Sequence, residues 1–120
     1  MASRVYWRLK DIKKAIFAIR KLLSGKSLSA LQHNDDTQAA FERYLERLSE
    51  ASRHIPTEGT AEFPQIPWRQ IADLGNFLRH GYDKVDLGVL WSIYENDLDA
   101  LEPAIDQLLE RAESSTEPKQ

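Results

Sequence analysis

The chain has 120 residues, a formal net charge of −3 and no cysteine, which excludes disulfides and thiolate metal sites. Such a length suits one small domain that buries about 60–70% of its unfolded surface. No apolar run nears the roughly 20 residues of a membrane span, and no signal-peptide pattern opens the chain; a cytoplasmic protein without membrane association is expected.

Helical periodicity dominates from the start. Val5, Leu9, Ile12, Ile16, Ile19 and Leu23 recur by fours and threes, a stripe of about five turns that Gly25 ends. This segment is strongly basic: residues 1–26 hold eight Lys and Arg against Asp11 alone, whereas the remaining 94 residues carry a net −10. A basic helix on an acidic body either draws phosphates or packs beside acidic neighbours, and charge segregation alone favours the second. Ser27 caps a short turn through Leu28 and Leu31. Asp35 or Asp36 is expected to cap a long helix that buries Phe41, Leu45, Leu48, Ser52 and Ile55. Its other faces mix Glu42, Arg43, Glu46, Arg47, Glu50 and Arg53.

Residues 56–67 read as a connection with room for one helical turn. Pro67 then opens a helix striped by Trp68, Ile71, Leu74 and Leu78. Asp86 caps a fourth helix with Leu87, Leu90, Trp91 and Tyr94 inward. A final helix uses Leu98, Leu101, Ile105, Leu108 and Ala112, with Pro103 near its start. The expectation is an all-α, antiparallel four/five-helix bundle over residues 1–112, followed by a polar, disordered tail over 113–120.

The stretch Arg79-His80-Gly81-Tyr82-Asp83 is where chemistry is sought. With residues 68–80 helical, Asn76 and His80 share a face, with Arg79 beside them. An imidazole accepts and returns protons near neutral pH. A guanidinium offers forked donors to a phosphate whose charge grows in the transition state. Together they suit RNA cleavage without a metal or other cofactor: a base takes the ribose 2′-hydroxyl proton and a cation steadies the phosphorane. The plainer alternative makes His80 and Asp83 caps of the helix end and packs Tyr82. No metal-ligand spacing links His33, His54 and His80. There is no glycine-rich phosphate loop, and Trp68 and Trp91 sit in apolar stripes that suit core packing better than base stacking.

Ile66-Pro67-Trp68-Arg69, then Ile71, Asn76, Leu78, His80, Tyr82, Val85-Asp86, Trp91 and Asn96-Asp97-Leu98 resemble the HepT-like family. These are HEPN-superfamily toxins encoded beside minimal nucleotidyltransferase antitoxins. Thr37-Gln38-Ala39, Arg43, Leu45 and Glu50-Ala51 extend the likeness over residues 5–110. The resemblance implies a homodimer with two His-bearing segments facing one cleft, and a metal-independent ribonuclease. It places the catalytic histidine at His80, a polar partner at Asn76 and a tyrosine at Tyr82, to which the partner enzyme transfers AMP. Asp83 and Arg69 are possible supporting residues.

One position departs: the family arginine immediately before the Asn is Gly75 here. Either Arg79 takes over its role, with Arg69 the poorer substitute, or cleavage has been lost. In the second case the chain is a non-catalytic binding module for the nucleotidyltransferase, and restoring arginine at Gly75 would revive cleavage.

Overall fold

The computed structural model describes residues 3–80 and 86–116, with side chains through Glu113. Helix α1 (Arg4–Leu23) begins where the Ser3 hydroxyl accepts the Tyr6 N–H at 3.1 Å. It ends just before Gly25, whose φ of +75° strains any residue with a Cβ. Leu9, Ile12, Ile16, Ile19 and Leu23 are buried, as the apolar stripe predicts. Helix α2 (Leu28–Gln32) is capped by Ser27, which accepts from Ala30 N–H.

Helix α3 (Asp35–Ser52) is capped by Asn34, not by Asp35 or Asp36: the Asn34 Oδ1 accepts the Thr37 N–H at 3.0 Å. The two aspartates fall in the first turn instead, where their charge faces the positive helix end. A single turn, α4 (Thr57–Thr60), occupies the connection, and α5 (Trp68–Arg79) follows Pro67. The Trp68 indole N–H donates to Phe63 C=O at 3.0 Å and pins the start of α5. Both Trp68 and Trp91 are half-buried against the core.

The last two expected helices form one rod. Helix α6 (Leu87–Ser92), with Asp86 accepting Gly88 N–H, runs through a π-helical turn at Ile93–Asp97 into α7 (Leu98–Thr116). The backbone stays helical at both junctions, Ile93 at φ −60°, ψ −47° and Leu98 at φ −65°, ψ −31°. The wide turn has a packing reason. Leu90 and Leu98 are each 1% exposed, yet eight residues in a regular α-helix would rotate them about 80° apart. A turn that absorbs one extra residue brings both to the core. Helix α7 also outlasts the expected boundary at 112, running on to Thr116.

The bundle is all-α. Helix α1 packs between α3 and α7, and α3 packs between α1 and α5. Phe41, Leu45, Ile12, Ile16, Ile19 and Ile105 are fully buried where these helices meet. Among the described residues, no helix is long and apolar enough to cross a membrane.

Ion pairs set the register of α1 on α7. Lys13 Nζ lies 2.8 Å from both Glu102 and Asp106, while Arg20 reaches Asp99 at 3.2 Å and Glu102 at 3.3 Å. Moving up α1 means moving down α7, so the two are antiparallel. Hydrogen bonds to Asp106 and Glu102 raise the Lys13 pKa above its ordinary 10.5. This contribution is therefore complete below 10.5 and fades as the pH rises through the higher folded-state value. Lys13→Met should cost about 1 kcal/mol at neutral pH, given side chains only about a third exposed. Thermal melts should show the parent and variant converging only at pH values above that of free lysine.

Candidate active site

Helix α5 is held unusually close to α3. The Ser49 hydroxyl is fully buried and bridges two backbone groups of α5, accepting the Gly75 N–H at 2.8 Å and donating to Ala72 C=O at 3.0 Å. A Cβ at residue 75 would stand 2.8 Å from Ser49 Oγ and 3.1 Å from Ser49 Cβ. The first distance is shorter than packing around a Cβ permits and the second is tight, and the short serine side chain cannot move aside without losing its bonds. Gly75 is therefore a contact between helices. The sequence carries one signal of it, a serine beside Leu48 on the inner side of a charged helix.

Arg79, one helical turn on, folds back across this contact. Its guanidinium Nη1 lies 3.5 Å from where a residue-75 Cβ would be. The glycine's missing side chain thus leaves room for a cation supplied from position 79. From there Arg79 lines a groove of about 660 Å³ between α1 and α3. Arg8, Lys14, Arg43 and Arg47 also line it, opposed by Asp11, Glu46 and Glu50. Ala15 and Ala18 keep the α1 side low. Arg43, Glu46, Arg47 and Glu50 come from the charged faces of α3; that Arg8 and Lys14 of α1 meet them depends on which helices pack.

Local electrostatics favour the ionised form of Glu50. A hydrogen bond from His54, then the charges of His54, Arg53 and Arg79, hold the Glu50 carboxyl below the usual glutamate range. Arg47 lies over the Tyr44 ring at 5.8 Å, and Arg43 sits 3.7 Å from Glu46. Five cations against three carboxylates leave a positive groove.

His80 ends α5, its N–H bonded to Asn76 C=O at 3.1 Å. Asn76, Arg79 and His80 are exposed on the last turn, so the helix gathers three of the expected site residues. Arg69 is not among them: it lies in the first turn of α5, about 15 Å from Arg79 along the axis. Tyr82 and Asp83 lie outside the described residues. His33 bonds Ser29 C=O through Nδ1 at 2.8 Å, and His54 meets the groove residue Glu50 at 3.2 Å.

A family model described as "Ribonuclease HepT-like" matches residues 12–108, a span that includes α5 and most of the residues lining the groove. The chain belongs to the ribonuclease HepT-like family. It is 34% identical, over 83% of its length and 91% of the relative's, to "Probable ribonuclease HepT" of Thermococcus cleftensis. A Methanocaldococcus jannaschii protein named provisionally as an RNase is 30% identical over 91% of this chain and 90% of its own. Another provisional RNase, from Caldanaerobacter subterraneus, is 29% identical over 60% of this chain and 64% of its own. No solved structure matches significantly. Membership in this family agrees with the resemblance over residues 5–110.

Proposed function

We propose that the chain is an endoribonuclease that uses the RNA's own 2′-hydroxyl as nucleophile, with His80 and Arg79 carrying the chemistry. The observation that carries this is the cationic groove that Arg79 lines, with His80 the next residue, in a member of a ribonuclease family. In a homodimer with both His80 side chains at one cleft, one imidazole removes the 2′-hydroxyl proton. The 2′-oxygen bonds to phosphorus and the bond to the 5′-oxygen breaks. The second imidazolium protonates the departing oxygen. Arg79 holds the phosphate oxygens as their negative charge grows, and Asn76 orients His80 from one turn back. The products are a 2′,3′-cyclic phosphate and a 5′-hydroxyl.

Control by a minimal nucleotidyltransferase partner completes the reading. Transfer of AMP from ATP to the Tyr82 hydroxyl, releasing pyrophosphate, places a bulky anion near the segment that receives RNA. The chain would then be the toxin of a toxin–antitoxin pair. Purified protein in EDTA is expected to cleave RNA and leave cyclic-phosphate ends, and to gain one AMP at Tyr82 with ATP and the transferase. RNA left intact across pH 6–8 would remove the enzymatic reading. Support for the catalytic reading over the non-catalytic one is that Gly75 packs on Ser49 while Arg79 Nη1 lies beside it.

A further inference from the structure

The basic excess of α1 divides in two. Lys13 and Arg20 are neutralised by Asp99, Glu102 and Asp106 of α7. Lys10, Lys14 and Lys21 form no ion pair among the described residues. They share the outward side of α1 with two large aromatics, Trp7 at 58% and Phe17 at 68% exposed. The order Trp7, Lys10, Lys14, Phe17, Lys21 steps by three and four, so the five form one stripe about 21 Å long. Tyr6 braces Trp7 edge-on at 5.0 Å. Lys14 belongs also to the groove that Arg79 lines, so stripe and groove are continuous.

We propose that this stripe binds single-stranded RNA flanking the cleaved phosphate, the two rings stacking on bases and the lysines meeting phosphates. The inference rests on the ribonuclease reading for its ligand, and the chemistry selects that ligand over the alternatives. Alternating rings and cations suit a single strand, which offers bases and phosphates by turns. A second copy of α1 would set lysine against lysine, and a lipid surface needs a continuous apolar face, which α1 has already buried in the core.

The test compares the parent with Lys10→Glu/Lys21→Glu and with Trp7→Ala/Phe17→Ala, binding a fluorescein-labelled 12-nucleotide oligouridylate by anisotropy, each protein also carrying His80→Ala to prevent cleavage. Each pair should weaken binding about tenfold or more, and the lysine pair should lower the slope of log Kd on log salt by about 1.4. With His80 intact, the ratio of kcat/KM on long RNA to that on a diribonucleotide should fall about tenfold in both variants. Unchanged affinity and salt slope, no RNA binding by the parent, or equal competition by polyglutamate would overturn the proposal. A parent that binds RNA through the stripe yet cleaves nothing would sink the ribonuclease reading and leave the stripe standing. Equal melting temperatures confirm that the exposed substitutions spare the fold.

Discussion

His80→Ala is expected to lower RNA cleavage by about 10²–10⁴-fold, the usual worth of a positioned proton-transfer group. Arg79→Ala should cost about 10²–10³-fold, comparable to loss of one transition-state donor. Both residues are exposed at the end of α5, so thermal stability should shift by no more than about 0.5 kcal/mol. The comparison with Arg79→Lys separates two roles. A lysine keeps the charge but loses the fork, so activity between that of parent and alanine variant indicates a direct phosphate contact. Full activity in Arg79→Ala would instead place the essential cation elsewhere in the groove, with Arg43 and Arg47 next to be tested. Cleavage undiminished by His80→Ala would end the proposed mechanism.

Gly75→Arg, the replacement that matches the family pattern, should damage the fold and restore nothing. Its Cβ would press on Ser49 Oγ at 2.8 Å, and the rest of the side chain would contest the space that Arg79 Nη1 borders. Overpacking of this kind costs about 1–3 kcal/mol, and loss of the buried Ser49 bridge adds about 1 kcal/mol. A fall in melting temperature of roughly 10 °C or more follows. Gly75→Ala tests the contact alone: better helix propensity offers up to about 1 kcal/mol, against which the short contact with Ser49 should still prevail. Pairing it with Ser49→Gly removes the opposing Cβ, and the double variant should lose less than the two single losses combined. A folded, more active Gly75→Arg would refute the packing account.

These two positions show how far the residues could be read in advance. The apolar stripes of α1, α3 and α5 report burial directly, because a helix must hide one face. Asn76 and His80 are legible as neighbours by spacing alone. Gly75 is not, since an absent side chain reads as a loss until Ser49 appears opposite it. The cap at Asn34 was hidden by two aspartates equally able to serve. The groove draws cations from α1, α3 and α5, and no local pattern tells which helices will lie together. Two of the seven basic residues on α1, Lys13 and Arg20, are balanced by α7, a division that only the ion-pair partners reveal.

The wide turn at Ile93–Asp97 has a consequence for chain length. Because it takes up one residue while keeping Leu90 and Leu98 inward, the rod from Leu87 to Thr116 carries a spare link. Excising Asn96, whose exposed side chain bonds only Ser92 Oγ among the described residues, would set those leucines seven apart, the interval at which an ordinary helix nearly returns to the same side. Shortening should straighten the rod without turning either leucine to water, so a one-residue deletion there is tolerable where the same cut inside α1 would rotate half the core outward.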